Sequence, residues 1–368
     1  MTTIKNQVRP QRPRPVLMIP LRRCGSHALR LRLNFNPEFY SPYPLHIVDF
    51  MPRLPYYGNL ADDGNYFQLV AHVVGLQAVN VVKWPGITFD PAEIFSAIQG
   101  ETRSVHRIVW ELLLQAGERN GASIVMDKSL DSVHYADELM TLLPDMLFLN
   151  VVRDPRAQVA SMNRAIIHDF DTTLNTLTWN TAHHRARALA ERLPDRVLTV
   201  RYEDFLANPE VTLRKICDFI GLAFLPQMLD ITSSQEAREL SEKSDLWVSN
   251  CSAPIPAHKD KFKSQMSMDE IELIETLAQD HMRHYGYEFM TRASARMPDA
   301  GRMALCVQSS AQRREQAWKL LARNNYRDYT LRRLRGNYLA APITPVEHDI
   351  ALPTGGGVEP VAALAAVS

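Results

Sequence analysis

Cysteine is scarce in this chain: four occur in 368 residues, at Cys24, Cys217, Cys251 and Cys306. None forms a C-x-x-C pair. Thiols so scattered do not make a disulfide framework or a zinc cage, and they read as buried or incidental groups in a reducing compartment. Net charge is missing as well, because 41 Lys+Arg balance 41 Asp+Glu. No global field therefore points to nucleic acid or to an anionic membrane, and neither is expected as a partner. No apolar run is long enough to span a bilayer, and the N-terminus has no signal-peptide apolar segment. The expected location is cytoplasmic. The Walker spacing G-x-x-x-x-G-K is also absent, which argues against the common ATP-binding loop. What is present is 46% hydrophobic content, enough for a sizeable core.

Short apolar runs alternate with stretches of helical periodicity. The strand candidates are Val16–Ile19, Val79–Lys83, Ser123–Met126, Leu147–Val152 and Val197–Val200. The helical stretches are Ser104–Arg119, Ser132–Leu143, Pro155–Ile167, Thr172–Arg192 and Asp269–Tyr285. This alternation predicts a three-layer α/β/α fold around a central parallel sheet. The expected division is a disordered basic tail (1–15), a catalytic domain (16–290), a basic helical extension (291–345) and a flexible tail (346–368). The extension carries Arg313, Arg314, Arg323, Arg327, Arg332, Arg333 and Arg335. Trp318, Leu320, Tyr326, Tyr329 and Leu334 are interleaved with them, too many apolar residues for a disordered segment. Trp318 to Leu339 is expected to pack against the catalytic domain or a second subunit, and a homo-oligomer is possible.

Two segments carry the chemistry. In the first, an apolar run ends in Val152-Arg153-Asp154-Pro155, with Ser161 about two turns into the next helix. Pro155 suits a first helical turn, so Arg153 stands at the carboxyl end of a parallel strand, where open α/β sheets bind ligands. A guanidinium and a hydroxyl so placed suit a phosphate monoester. The alternative is an Arg-Asp pair that merely ties a strand–helix turn. The second segment follows Val16–Ile19: Pro20-Leu21-Arg22-Arg23-Cys24-Gly25-Ser26-His27 leads into a helix. Strand, glycine turn and helix start make an anion nest, with Gly25 allowing close backbone approach, Ser26 offering a hydroxyl and Arg22 or Arg23 adding charge.

Together these segments resemble the sulfotransferases that use 3′-phosphoadenosine-5′-phosphosulfate (PAPS). The family's later motif, V-R-D-P-R-x-x-x-x-S, matches in full from Val152 to Ser161. Its first loop, P-[RK]-S-G-T-[TH], matches in altered form, with Arg22 for Pro, Cys24 for Ser and Ser26 for Thr. The stretch Arg201-Tyr202-Glu203-Asp204-Phe205 through Gly221-Leu222 is similar to a third family segment. The resemblance implies PAPS as co-substrate, with no metal required, held by Arg22, Arg23, Cys24, Gly25, Ser26, His27, Arg153 and Ser161. A late basic loop is implied to close over the 3′-phosphate, which here would use Lys259 and Lys263. Lys128, at the end of the strand Ser123–Met126, matches a family lysine and is expected to join Arg23 in meeting charge on the leaving phosphate.

A hydroxyl acceptor must lose a proton, so a general base is expected. Cytosolic aryl sulfotransferases carry a His two residues after the Lys; here that place is Leu130. The candidates left are Glu101, in a stretch similar to one in protein-tyrosine sulfotransferases, His46 and His27. Arg201 to Asp204 read as structural, and His183 and His184 as solvated. The implied activity is sulfuryl transfer to a hydroxyl or amine of a small-molecule, glycan or natural-product acceptor. Two alternatives remain open: a nucleotide-dependent kinase of similar architecture, and a non-catalytic nucleotide-binding relative.

Overall fold

The computed structural model describes residues 12–251 and 255–343. Of the two expected tails, residues 1–11 and 344–368 lie outside the described residues. Arg14 and Pro15, by contrast, already belong to the first strand.

The elements follow in the order β1 (Arg14–Ile19), α1 (Ser26–Leu33), β2 (Phe39–Tyr40), α2 (Asp63–Ala78), α3 (Pro91–Ala97), α4 (Val105–Arg119) and β3 (Ile124–Asp127). Then come α5 (Ala136–Leu142), β4 (Leu147–Val152), α6 (Pro155–Met162), α7 (Thr172–Arg192) and β5 (Val197–Arg201). After the sheet is complete the chain is helical: α8 (Tyr202–Ala207), α9 (Pro209–Ile220), α10 (Gln235–Lys243), α11 (Met268–Leu277), α12 (Gln279–Tyr285), α13 (Ala300–Asn324) and α14 (Tyr326–Ala340).

The five strands lie in the order β2-β3-β1-β4-β5, with every neighbouring pair parallel. Side chains of β1 alternate between faces, as a pleated strand requires. Leu17 and Ile19 enter the core under α2, α3 and α4, while Val16 and Met18 enter the core with α1 and α9. Both faces are thus covered and the fold is a three-layer α/β/α sandwich, which is why its strands read as continuous apolar runs.

Four elements differ from expectation. Val79–Lys83 is not a strand; it is a turn leaving α2. The Asn80 side chain takes over its backbone partners, accepting from Val81 N and donating to Pro44 O. Val81 and Val82 bury their side chains in a satellite cluster with Tyr43 and Trp247. The edge strand is instead Phe39–Tyr40, paired with β3. The helix expected over Pro155–Ile167 stops at Met162. Asp269–Tyr285 breaks at Ala278 into α11 and α12. Finally, Ser132–Leu143 opens as a 3-10 turn (Leu130–Tyr135) before α5 begins.

The basic extension forms a helical hairpin, α13–α14, that packs on the catalytic core. The Tyr338 hydroxyl donates to His72 O at 2.8 Å, and a Cβ at Gly75 would collide with that hydroxyl. Asp328 is buried and accepts from the Ser244 hydroxyl. Arg335 donates to Asp49 and to Leu45 O at 3.0 and 2.9 Å.

Candidate active site

Because β3, β1 and β4 are adjacent and parallel, the segments at their carboxyl ends converge. Arg153 directly follows β4 and Lys128 directly follows β3. The loop from Pro20 to Gly25 leaves β1 between them. This is where ligand sites form in open parallel sheets. Gly25 is the N-cap of α1 with φ 89°. Its missing Cβ is a close-approach requirement, since a side chain there would strike the Tyr202 ring. Arg23 also has positive φ, 73°. A residue with a Cβ held there is costly unless its surroundings fix it, and such strain collects at functional sites. Two contacts do fix it. Arg153 Nη1 donates to Arg23 O at 2.9 Å, and Arg23 Nε donates to Ser161 Oγ at 3.0 Å. Gln158 donates to Arg22 O and accepts from Trp179 Nε1, tying the loop to α6 and α7. With the loop so held, the first N–H groups of α1 and its dipole face the opening.

Two cavities meet at this loop, sharing Arg23, Ser26, His27 and Leu246. The wide one, about 340 Å³, is lined by Arg32, Arg153, Ser161, Arg164, Tyr202, Phe205 and Lys261, among others, and no carboxylate lines it among the described residues. Arg153 lies over the Tyr202 ring at 5.2 Å and Arg32 over the Phe205 ring at 5.3 Å. Arg153 Nε, Arg32 Nε and Arg32 Nη2 are buried without a hydrogen-bond partner among the described residues. Burial, with Arg153 nearby, lowers the Arg23 pKa to about 10, and burial alone does the same for Arg32. Cations gathered with no carboxylate among the described lining residues, and with donors left unpaired, make a site for a polyanion that brings its own charge.

The narrow cavity, about 190 Å³, is lined by Lys128, His46, Tyr43, Trp247, Asp49 and Arg335, among others. Lys128 is only 2% exposed. Burial, then Arg30, lowers its pKa to about 7. His27 and His46 are both held well below the usual imidazole range, mainly by burial and secondly by Lys128 and Arg22 respectively. Each has a buried Nδ1 without a partner among the described residues, and each ring packs against Tyr43. His46 also has a left-handed backbone, φ 52° and ψ 56°. Two neutral imidazoles beside cations can accept a proton at neutral pH.

The structure brings Arg22, Arg23, Gly25, Ser26, His27, His46, Lys128, Arg153 and Ser161 together around the two cavities. It does not bring the others. Glu101 lines neither cavity; its carboxylate pairs with Arg107 at 3.1 Å, ahead of the α4 N-cap at Ser104. Cys24 is buried in the core against β1, and burial raises its thiol pKa to about 11. Arg22 is at the site but on the narrow side, away from the wide cavity, and is held by Asp131 at 2.6 Å. Lys259 and Lys263 line a separate cavity with Asp154 and Glu203. The reason is helical period. Pro256–Ser264 is a 3-10 segment, in which residues three apart eclipse, so His258 and Lys261 face the wide cavity together.

Some residues were not legible as site residues. Tyr202, read as structural, stands in the wide cavity. Arg32, Arg164, Tyr43 and Trp247 gave no motif, because helix or loop geometry alone turns them inward. His183 is fully buried rather than solvated, stacked on Trp179 with ring centroids 3.9 Å apart.

A 96-residue stretch is 29% identical to carbohydrate sulfotransferase 2 of Mus musculus and of Homo sapiens, covering 26% of this chain and 18% of those proteins. Among solved structures, the sulfotransferase domain of the Synechococcus PCC 7002 olefin synthase is 24% identical, with a TM-score of 0.47 over 73% of this chain and 95% of that one. The sulfotransferase domain from the curacin biosynthetic pathway is 18% identical, with a TM-score of 0.48 over 75% and 99%. Residues 15–226, more than half of the chain and including the β1–α1 loop, Lys128 and Arg153, match the model of the sulfotransferase family, to which this chain therefore belongs.

Proposed function

We propose that the chain transfers a sulfuryl group from PAPS to a hydroxyl of an acceptor seated in the narrow cavity. The observation that carries this reading is the wide cavity. It is rich in arginine, has no lining carboxylate among the described residues, and opens at the β1–α1 loop. A nucleotide with both a 3′-phosphate and a 5′-phosphosulfate is a polyanion of the kind such a cavity suits. In this reading Arg153 and Ser161 hold the 3′-phosphate, with Lys261 closing from the side. Tyr202, Phe205 and Arg32 bracket the nucleotide. Gly25, Ser26 and Arg23 take the 5′ end.

Transfer runs in line. The acceptor oxygen forms a bond to sulfur as the bond from sulfur to the 5′-phosphate oxygen breaks, and the acceptor proton passes to an imidazole. Charge grows on the departing phosphate, where Arg23, Lys128 and the first N–H groups of α1 stabilise it more in the transition state than in the ground state. His46 is the favoured base. It faces only the narrow cavity, whereas His27 stands at the junction of the two. A sulfuryl group carries less charge than a phosphoryl group, so the reading needs no metal.

Incubation of the protein with radiosulfate-labelled PAPS and a cell extract tests the activity. Label should pass to an acid-stable product, and Arg23→Ala should slow that transfer about a hundredfold, as removal of one oxyanion donor does. Transfer from labelled ATP and Mg²⁺ instead would establish the kinase alternative.

A further inference from the structure

The hairpin α13–α14 lies beyond the residues that match the family, yet Trp318, Arg332, Arg335 and Gly336 form one wall of the narrow cavity. Gly336 has no explanation within the fold. It sits inside α14, where glycine weakens a helix relative to alanine. Its φ is not among the positive ones, and a Cβ there would meet nothing within 4 Å. Gly75 is the contrast, since packing against Tyr338 excludes its Cβ. Neither conformation nor close packing demands glycine at 336. Gly336 is exposed at the cavity rim, so a large side chain there would stand at its mouth.

Of the cations lining this cavity, Arg23 and Lys128 face the departing phosphate in the reading above, and the other three are matched. Arg22 is held by Asp131 at 2.6 Å, Arg335 by Asp49 at 3.0 Å and Arg332 by Asp328 at 2.8 Å. An acidic acceptor would have to compete with one of these carboxylates in a desolvated setting. Beside these pairs, Tyr43 and Trp247, both nearly buried, offer the cavity flat apolar faces. Arg335 has a further task. It donates to Leu45 O at 2.9 Å and to His46 O at 3.4 Å, so the hairpin holds the left-handed turn that aims His46.

We propose that the hairpin is the acceptor-selecting wall of the enzyme. It admits an uncharged hydroxyl compound that lays the flat face of an aromatic or sugar ring between Trp247 and Gly336. This rests on the sulfotransferase reading above. The acceptor's O–H proton goes to His46, its oxygen takes the sulfuryl group, and adenosine 3′,5′-bisphosphate departs.

The test uses the full chain with labelled PAPS and three probes: 4-methylphenol, 4-nitrophenyl β-glucoside and 4-hydroxybenzoate. Gly336→Leu is compared with wild type, and adenosine 3′,5′-bisphosphate affinity is measured for both by calorimetry. At least one uncharged probe should be labelled tenfold faster than 4-hydroxybenzoate. Which of the two leads tells an aromatic from a sugar acceptor. Gly336→Leu should lower that labelling at least tenfold, with nucleotide affinity within twofold and no loss of thermal stability. Unchanged labelling in Gly336→Leu overturns the proposal, and so does preference for the acid. Wild type that binds the bisphosphate but labels neither uncharged probe overturns the acceptor class alone. Wild type that does not bind the bisphosphate overturns the sulfotransferase reading beneath it.

Discussion

Arg153 joins several jobs in one side chain. Its guanidinium holds the Arg23 carbonyl, lies over Tyr202 and leaves Nε buried and unpaired. Arg153→Ala should weaken adenosine 3′,5′-bisphosphate binding by about 2–4 kcal/mol, the range for removing one partner of a desolvated charge pair. Calorimetry on the variant checks this. A loss of the same size for adenosine 5′-monophosphate would mean that Arg153 acts through the loop and not on a 3′-phosphate. Lys128 gives a pH dependence. With a pKa of about 7 it is half-deprotonated near neutrality in the free enzyme. Donor kcat/KM should therefore fall as pH rises through about 7, because the rate needs the cation. No acid limb should appear in the usual imidazole range, since His27 and His46 stay neutral well below it. Lys128→Arg, which stays charged, should remove the alkaline fall. Stability runs the other way. The folded pKa lies below the ordinary 10.5, so between these values the unfolded chain binds more protons and stability rises with pH. Lys128→Met should abolish that rise in urea titrations.

Among the elements, α14 most needs an explanation, because it is polar yet firmly docked. Its anchors are specific: Tyr338 against Gly75, Asp328 on Ser244, and Arg335 on the turn at His46. Gly75→Ala should destabilise the protein by about 1–3 kcal/mol through overpacking against the Tyr338 hydroxyl. Adding Tyr338→Phe should recover part of the loss, because it deletes the colliding oxygen. If the single variant unfolded at the same urea concentration as wild type, α14 would not be seated on α2. The strands show what patterning can and cannot reveal. β1, β3 and β4 are buried on both faces and β5 in part, so each announced itself as an apolar run between helical stretches. Val79–Lys83 has the same composition but fails as a strand, because Asn80 satisfies its own turn. β2, only two residues long, offered no period to read. The helix breaks at Met162 and Ala278 were equally hidden, since apolar periodicity continues past them.

For the whole molecule, the half of the site that lies at strand ends was legible in the sequence. Arg153, Ser161, Arg23, Gly25 and Lys128 sit where topology puts ligands, and short motifs mark them. The other half comes from residues far apart in sequence. Tyr202 reaches the loop because β5 neighbours β4, Lys261 because of a 3-10 period, and Arg335 because a hairpin folds back over the His46 turn. Glu101 had a plausible motif, but Arg107 draws it into an ion pair away from both cavities. The central claim is that the wide cavity is a seat for a nucleotide bearing a 3′-phosphate. The most direct measurement is titration calorimetry of the purified chain in EDTA with adenosine 3′,5′-bisphosphate and, separately, adenosine 5′-monophosphate. The account predicts metal-free binding of the bisphosphate at least a hundredfold tighter than the monophosphate, a gap of about 2.7 kcal/mol. Equal affinities, or binding of the bisphosphate only when Mg²⁺ is added, would contradict it.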